Sequence, residues 1–556
     1  MQLLGKAHDK EFWKQLRASS FHQQRISDLK KAYAEFLEKD KLESFKYSEF
    51  KMFWTTGNRS VYRTKLQERR EYMRCAFILS LIYPEEQEYL DNLMDIIYAV
   101  CDEYTWCQPA HQGKLEPNNN TRIDLSASVL SNWLAEIYVL LEDRLEPLIK
   151  NRILAEIDRR IIEPFTSVDD YGWWEMGDTN WTAVCMGNVA STVMLLRPEL
   201  ADDKFIDRSV RSMQAYLTGF DNDGICYEGV GYWSYGFSNF AIYADILRKF
   251  TNGKIDFFSE DKVRKIATFH QKTFLSGNKC VSFSDGGLKA DYLTYLMHFL
   301  KNEYPDDVLV YDPKYGTSDH SLIRGYTWTD ERIHNSPAPH DTEFEMFAPE
   351  ANWMIKKTAA YGFAAKGGCN AEPHNHNDVG NFSFVKNQKH VIADIGGGVY
   401  TRQYFTRATR YEQLECRSGG HSLPLIDGCE QTFGKEFCAT DFKYENGVLS
   451  MDIATAYQCP ELRSLRRTFE LGQDQVKLTD KFEYTGSGKL ISRLISVEQV
   501  DLTQSGEIRI ADATVIYDPT LADCSVSEEI SSNGLKVRKI DFILKNGVRE
   551  FSCTVR

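Results

Sequence analysis

The stretch Glu372-Pro-His374-Asn-His376-Asn-Asp378-Val-Gly-Asn-Phe382 is the most informative part of this amino-acid sequence. It holds two of the chain's 12 histidines, one residue apart. In an extended chain the side chains of residues i and i+2 point to the same face. His374 and His376 are therefore predicted to lie on a strand and to reach into one common space.

A carboxylate and a third imidazole follow the histidine pair. Asp394 ends the apolar run that begins at Val391, and His421 stands in a second glycine-rich stretch. Two imidazoles and one carboxylate form a ligand set that suits Zn²⁺, and the chain offers one histidine more than that set needs. The surplus imidazole, His374, is a candidate for chemistry.

Three stretches together resemble the C-terminal half of the heparinase II/III-like polysaccharide lyases. They are the stretch quoted above, Ile392-Ala-Asp-Ile-Gly-Gly-Gly398 and Gly420-His-Ser-Leu-Pro-Leu-Ile-Asp-Gly428. The resemblance implies that His374 is catalytic and that a structural zinc ion is bound by His376, Asp394 and His421. The ligand types alone also match catalytic zinc sites with an open position for water, so the residues themselves leave that role open.

The N-terminal half contributes two loops rich in glycine and aromatic residues, at 170–181 and 220–236. Asn180-Trp181 resembles the family's motif that opens a helix and presents an amide to the substrate carboxylate. The motif Glu228-Gly-Val-Gly-Tyr232-Trp233-Ser-Tyr235 resembles the one that carries the catalytic tyrosine. The resemblance thus implies catalytic roles for Asn180 and Tyr232, with Tyr235 as the alternative one helical turn away.

Further residues are predicted to bind substrate, because aromatic faces pack on sugar rings while polar side chains bind hydroxyl and carboxylate groups. An arginine near the histidines could clamp a uronate or sulfate through two parallel hydrogen bonds. Structural roles are the alternative, namely a helix N-cap for Asn180 and packing for Tyr232 and His111. The predicted substrate-binding residues are His111, Trp181, Trp233, Tyr235, Glu228 and Arg410.

Residues 1–325 are predicted to form an (α/α) toroid. Apolar residues recur with a helical period along residues 121–141 and again along 149–161, where Pro164 is expected to end the helix. A later helix is indicated along residues 263–274. Long aromatic-rich loops between paired helices favour a toroid over a plain bundle, whose connections are shorter.

Residues 326–556 are predicted to form an antiparallel β-sandwich. The run Val476–Tyr484 alternates apolar and polar residues with period two, and similar runs occur at 489–497 and 508–517. Many short strands with turn residues between them are typical of a sandwich. The polar segment Tyr311–Glu345 is the candidate boundary, so the predicted fold is a two-domain α+β protein.

The composition excludes several classes of partner. A net charge of −14 over 556 residues argues against nucleic-acid binding, which needs a basic face. The same charge means that an anionic glycan would need a local basic site. No apolar run approaches the roughly 20 residues that span a bilayer, so no membrane partner is expected.

The cellular setting is predicted from the cysteines and the first residues. The 13 cysteines are scattered without a Cys-x-x-Cys framework, which favours reduced thiols. The first residues lack an apolar signal-peptide core, so a cytoplasmic protein is expected, with removal of an export signal as the alternative. A homo-oligomer is compatible with the sequence.

The resemblance implies a lyase that cleaves uronate-containing oligosaccharides or polysaccharides by β-elimination. One alternative is an (α/α)-toroid glycoside hydrolase, with Asp178, Asp223 and Glu228 as available carboxylates. The other is a non-catalytic sugar-binding protein with a structural zinc ion. Elimination creates a conjugated double bond that absorbs ultraviolet light, hydrolysis gives a product without it, and a sugar-binding protein releases no product.

Overall fold

Helices fill the first part of the chain and antiparallel strands fill the rest in the computed structural model, which describes residues 2–39, 42–113, 115, 120–317, 321–339 and 342–556. The α-helices are α1 (Lys10–Ala18), α2 (Gln23–Glu38), α3 (Tyr47–Phe50), α4 (Met52–Thr56), α5 (Ser60–Ile82), α6 (Gln87–Cys101), α7 (Leu125–Leu141), α8 (Pro147–Ile157), α9 (Glu163–Thr166), α10 (Asn180–Leu196), α11 (Asp203–Thr218), α12 (Val230–Phe250), α13 (Asp261–Ala267), α14 (Phe269–Thr273), α15 (Thr294–Glu303), α16 (Arg324–Thr327), α17 (Glu331–His334) and α18 (Arg407–Arg410).

The strands lie mostly after residue 343. They are β1 (Phe274–Ser276), β2 (Lys279–Cys280), β3 (Tyr292–Leu293), β4 (Gly316–Thr317), β5 (Phe344–Ala348), β6 (Trp353–Lys357), β7 (Gly362–Lys366), β8 (Cys369–Asn370), β9 (Phe382–Lys386), β10 (Lys389–Ile392), β11 (Leu425–Ile426), β12 (Gly434–Cys438), β13 (Thr440–Glu445), β14 (Val448–Asp452), β15 (Leu462–Leu471), β16 (Val476–Tyr484), β17 (Leu490–Ser496), β18 (Val500–Gln504), β19 (Glu507–Ile510), β20 (Ala513–Tyr517), β21 (Ala522–Ile530), β22 (Lys536–Leu544) and β23 (Glu550–Val555).

The helical half is arranged around α10, which packs against α7, α11 and α12. Nearly every residue of α10 is buried, as expected for a helix that is apolar all round. The predicted helix along residues 121–141 is confirmed by α7. This packing brings the N-terminal ends of α10 and α12 together, and both predicted motifs of the helical half stand at those ends.

Two helix ends differ from their prediction. The chain does not leave the helix at Pro164, because a π-helical turn at Asp158–Ile162 precedes it and α9 continues to Thr166. The wider turn tolerates proline, because the backbone N–H that proline lacks is not needed there for a regular helical hydrogen bond. The helix predicted along 263–274 is divided into α13 and α14, and Phe274 begins a strand instead.

The strand half is an antiparallel β-sandwich, as predicted. One sheet has the order β13-β14-β15-β16-β23-β20-β19-β18, a second β10-β9-β7-β6-β5 and a third β11-β17-β22-β21. The prediction for Val476–Tyr484 is confirmed by β16, whose burial alternates along the strand. Sheets meet through aromatic contacts such as Phe382 with Phe469, whose ring centroids are 5.0 Å apart.

Residues 274–290 lie between the halves. Strand β1 adjoins β7 and β9 of the sandwich, and Phe283 packs edge-on against Trp353 at 5.0 Å. Helices continue to His334 and the strands of the sandwich begin at Phe344, inside the predicted boundary segment. No helix among the described residues is both long and apolar enough to cross a bilayer.

Candidate functional site

A cleft of about 1140 Å³ lies where the helical half meets the loop after β10. One wall is formed by the start of α5, by α7 and by the first turns of α10 and α12. The facing wall includes Tyr400 and Phe405, and Arg402 joins the walls by donating to the Trp54 carbonyl at 3.3 Å. The predicted site residues that line this cleft are Asn180, Tyr232, His374, His111, Trp181 and Tyr235.

Asn180 is the first residue of α10 and is held by the start of α12. Its side-chain amide donates to Glu228 Oε1 at 3.0 Å, and its backbone N–H donates to Glu228 Oε2 at 3.2 Å. Thr179 occupies the N-cap position, so Asn180 is not the cap. Burial raises the pKa of Glu228, which lies behind Asn180 and outside the cleft lining. Glu228 thus positions the amide, in contrast to the substrate contact predicted for it.

Tyr232 stands in the first turn of α12 and faces the histidine motif. Its hydroxyl is hydrogen-bonded to the Tyr400 hydroxyl and lies 3.4 Å from His374 Nδ1. The Tyr232 and His374 rings are 4.4 Å apart. Burial and then the nearby Asp285 carboxylate raise the pKa of both phenols. Both tyrosines therefore carry their protons at neutral pH and can donate them.

Asp285 joins the catalytic candidates to the metal-ligand candidates, and no motif in the sequence indicated it. Burial alone would raise its pKa, but hydrogen bonds from two histidines and the charge of a buried arginine hold the pKa well below its usual range. The carboxylate accepts hydrogen bonds from His374 Nδ1 (2.6 Å), His376 Nε2 (3.1 Å), Tyr400 (3.0 Å), Tyr404 and Arg410 Nη2 (3.1 Å).

Asp285 reaches this position because glycines let two backbones approach closely. A Cβ at Gly396 would lie 2.1 Å from the Gly286 carbonyl oxygen, and a Cβ at Gly397 would lie 3.1 Å from Asp285 Cα. The Gly397 N–H donates to that same Gly286 carbonyl at 2.9 Å. The glycine run after Asp394 is thus the sequence signal that could have indicated a close backbone neighbour.

The histidine pair lies on a turn, so the predicted strand is wrong. His374 has φ of 54°, in the left-handed region. Its ring is hydrogen-bonded to Asp285 Oδ2, and the His376 ring is hydrogen-bonded to Oδ1. The two rings therefore do share one space, but through a common carboxylate and not through strand geometry. The turn is clamped by buried Lys366, whose Nζ lies 2.9 Å from Asp378 and 3.5 Å from Glu372.

His376, Asp394 and His421 come together as predicted, with one potential ligand atom from each lying within 4.8 Å of the others. All three side chains are fully buried. His376 Nε2 is hydrogen-bonded to Asp285, and Nδ1 has no hydrogen-bond partner among the described residues. A buried, unpaired ring nitrogen is a position that a metal ion would satisfy.

The surroundings of these ligands fit zinc. His421 places Nε2 2.9 Å from the Glu415 carbonyl oxygen, which leaves Nδ1 toward Asp394 at 3.7 Å. Metal-binding histidines commonly donate their second ring nitrogen to a carboxylate or carbonyl, as both histidines do here. The Asn381 side-chain amide lies 2.7 Å from Asp394 Oδ2 and 3.2 Å from His421 Nδ1. A bound ion would replace the contact between Asn381 and His421.

The aromatic side of the cleft includes three of the predicted substrate-binding residues. His111 lies edge-on to Trp181, with 4.8 Å between ring centroids, and Trp181 lies 5.0 Å from Trp173. Tyr235 is 38% exposed and also lines the cleft. These rings form an aromatic surface beside Asn180, which is the arrangement that sugar stacking needs.

Two residues that were predicted to bind substrate are buried outside the cleft lining. Trp233 is 1% exposed, and its indole N–H donates to the Ile266 carbonyl at 2.9 Å. Successive helix residues are turned by about 100°, so Trp233 points to the core when Tyr232 faces the cleft. Arg410 is buried under the histidine turn, where it donates to the His374 carbonyl at 3.1 Å and positions that loop.

Comparison by sequence identifies no relative: no protein-family model and no curated protein matches the chain. Comparison with solved structures does find similar proteins. A heparan sulfate lyase from Pedobacter heparinus superposes with a TM-score of 0.58 at 13% identity, covering 94% of this chain and 82% of that one. A Streptomyces coelicolor chondroitin AC lyase in complex with chondroitin sulphate gives 0.58 at 10%, covering 98% and 82%.

A heparinase III structure gives a similar result, with a TM-score of 0.59, 12% identity, and coverage of 92% of this chain and 80% of that one. The chain therefore has a heparinase III-like polysaccharide lyase fold, with an (α/α) helical domain followed by a β-sandwich. At these identities the likeness concerns the fold alone.

Proposed function

We propose that this protein is a polysaccharide lyase that cleaves uronate-containing glycans by β-elimination. The observation that carries the proposal is that Asn180, Tyr232 and His374 line one cleft, with Tyr232 and His374 in ring contact. The shared fold with lyases of anionic glycans supports the same reaction class. The cleft lies between the two halves and provides the aromatic surface on which sugars stack.

The reaction first requires the uronate carboxylate to be neutralised. The proton at C5 is barely acidic while this group is charged, because the carbanion would place a second negative charge beside it. Hydrogen-bond donors that are already oriented stabilise such charge without reorganising. Asn180 is suited to this task because Glu228 fixes its amide from behind at 3.0 Å, and an amide nitrogen carries two N–H donors.

Proton transfer is assigned to His374 and Tyr232. Asp285 accepts a hydrogen bond from His374 Nδ1 at 2.6 Å, so Nδ1 carries the proton, and Nε2, which lies 3.5 Å from Glu228 Oε1, is the nitrogen that acts as the base. His374 takes the C5 proton, the electron pair forms the C4–C5 double bond, and the C4–O4 bond breaks. Tyr232 protonates O4 as it leaves, and the proton on His374 returns to Tyr232.

The geometry favours one stereochemistry. The Tyr232 hydroxyl from the helical wall and His374 Nδ1 from the histidine turn lie only 3.4 Å apart, so both groups can approach a bound sugar from one side. Base and acid on one side suit sugars whose C5 proton and O4 lie on one face. A D-glucuronate unit linked through O4 has this arrangement, whereas L-iduronate does not. Glucuronate-containing chains are therefore the proposed substrates.

We also propose that His376, Asp394 and His421 hold Zn²⁺. The bound ion would cross-link three segments and supply structural stability. His376 would then be fixed with Nε2 toward Asp285, the residue that orients His374. The chain's own residues carry each proton transfer.

The test is a panel of glucuronate, iduronate and neutral oligosaccharides monitored for the ultraviolet absorbance of an unsaturated uronate. We expect absorbance from glucuronate substrates and little from the others. New reducing ends without absorbance would establish hydrolysis instead. Asp178, Asp223 and Glu228 all lie outside the cleft lining, which disfavours that alternative. Binding without any product would establish a sugar-binding protein.

A further inference from the structure

Two arginines from the N-terminal segment line the same cleft, although they belong to none of the motifs quoted above. Arg59 directly precedes α5, and Arg63 follows one helical turn later. Both are partly exposed. In a chain of net charge −14, a pair of guanidinium groups at the cleft is the local basic site that an anionic substrate requires.

Arg59 is held in position from two sides. Its Nη2 lies 2.7 Å from His111 Nε2, and His111 Nδ1 in turn binds Asp124 at 2.6 Å. Because His111 Nδ1 donates its proton in the hydrogen bond to Asp124, Nε2 is unprotonated and accepts a hydrogen bond from Arg59. The guanidinium also lies over the Phe405 ring, 5.4 Å from its centroid. Arg59 is therefore oriented before any ligand binds.

Arg63 lacks such partners. Within the described part of the chain it makes no hydrogen bond or ion pair, and its Nε is buried without a partner, as is Nε of Arg59. Burial, and then the neighbouring Arg63, lower the pKa of Arg59. Two partly buried cations close together raise the free energy of the folded protein unless an anion binds to them. Glu68 and Glu71 line the cleft further along α5, but Glu71 is bonded to Arg74 at 3.0 Å.

The position of the pair relates it to the reacting groups. Phe405 lies between Arg59 and His374, and its ring centroid is 6.3 Å from that of His374. Arg63 lies about 6 Å further along the axis of α5, since a helix rises 1.5 Å per residue. Because both arginines line the same cleft as Tyr232 and His374, the pair lies within reach of a sugar next to the reacting one.

We propose that Arg59 and Arg63 bind an anionic substituent, carboxylate or sulfate, on a sugar beside the uronate that is cleaved. A guanidinium binds both groups through paired N–H donors. This inference rests on the proposed function, and it specifies the substrate class as a chain with charge on more than the reacting unit.

The experiment measures binding by calorimetry in the Tyr232→Phe background, so that no substrate is consumed. The probes are a glucuronate–N-acetylglucosamine tetrasaccharide, its N-sulfated form and a neutral glucose tetramer. Arg63→Gln removes the charge, Arg63→Lys retains it, and Lys65→Gln is the matched control. Lys65 is on the same helix but turned to Glu49, 3.4 Å away.

We expect Arg63→Gln to weaken binding of a charged tetrasaccharide by about 10- to 100-fold, the usual effect of losing a charge-assisted contact. Arg63→Lys should lose less of the affinity for a charged tetrasaccharide, and Lys65→Gln should bind it as the parent protein does. A loss confined to the N-sulfated probe identifies sulfate as the anion, and an equal loss for both charged probes identifies the carboxylate of a further uronate.

Equal affinities of Arg63→Gln and Lys65→Gln for both charged probes would overturn the inference, even if the wild type produces unsaturated uronate. Conversely, Arg63-dependent binding by a wild-type protein that releases no ultraviolet-absorbing product would uphold the anion site and reject the lyase reaction. The two proposals therefore fail separately.

Discussion

The helical wall and the histidine turn present their functional groups in different ways. Asn180 and Tyr232 stand at the starts of two packed helices, so their positions follow from regular structure. His374 stands on a turn with a left-handed backbone, held by buried ionic groups from elsewhere in the chain. Positioning on the helical side thus depends on packing, and on the strand side it depends on Asp285 and Lys366.

The largest predicted effect comes from removing the charge that orients the turn. Asp285→Asn keeps the shape but places an amide against His374, His376 and Arg410, and it no longer selects the His374 tautomer. We expect kcat/KM to fall by about 10³- to 10⁴-fold, as when an orienting carboxylate is neutralised in a catalytic triad. Initial rates of absorbance increase measure this, and a loss below tenfold would reject the proposed role.

Acid stability provides a second measurement on the same variant. The lowered pKa of Asp285 means that its ionised form stabilises the fold at neutral pH. That contribution is present above the unfolded pKa of about 3.9 and is lost as the pH falls through the lower folded value. The stability difference between wild type and Asp285→Asn should therefore narrow as the medium becomes strongly acidic, as followed by urea unfolding.

Lys366 tests whether the turn depends on buried charge. Lys366→Met leaves the Asp378 and Glu372 carboxylates buried without their cation, which should cost about 3–5 kcal/mol in the free energy of unfolding. Lys443→Met removes the cation of an exposed pair with Asp441, at 2.9 Å, and should change it by no more than about 1 kcal/mol. Urea denaturation measures the unfolding free energy of both variants. Equal losses of stability would contradict the dependence of the turn on the buried charge of Lys366.

Zinc should stabilise the strand half by a smaller amount. Free zinc at about 100 times its Kd adds about 2.7 kcal/mol to the unfolding free energy. Thermal melts of metal-stripped protein with and without zinc should show this gain, and His376→Ala should abolish it. An unchanged Tm on zinc addition, together with no zinc in the native protein by elemental analysis, would reject the site.

The smallest predicted effects come from substituting two tryptophans, one in the cleft and one in the core. Trp181→Ala removes an apolar ring from the cleft, so KM should rise by about tenfold with kcat nearly unchanged. Trp233→Phe should lower Tm and leave KM unchanged, because its ring lies in the core. Steady-state kinetics and thermal melts separate the two, and a higher KM for Trp233→Phe alone would reverse this assignment.

Regular structure could be predicted from local pattern. The periodicity of α7 and β16 depends on neighbouring residues in the chain and is therefore visible in it, whereas the helix start at Asn180 was predicted through the family resemblance. The grouping of His376, Asp394 and His421 was also predictable, because the motifs around them resemble those of the heparinase II/III-like lyases.

Contacts between distant segments could not be predicted in this way. Asp285 comes from an irregular segment, and its role arises only when Gly396 and Gly397 admit that segment. The left-handed backbone at His374 and the burial of Trp233 likewise depend on tertiary packing. Such features have no periodic signal, since the energy that maintains them comes from residues far away in the chain.

The most direct test of the account is the rate at which Tyr232→Phe generates unsaturated uronate from a glucuronate oligosaccharide. The substitution keeps the ring contact with His374 and removes only the hydroxyl that would protonate O4. We predict that the wild type produces the absorbance and that kcat of the variant is lower by about 10²- to 10⁴-fold, with binding retained. A variant that eliminates at the wild-type rate would contradict the proposed mechanism.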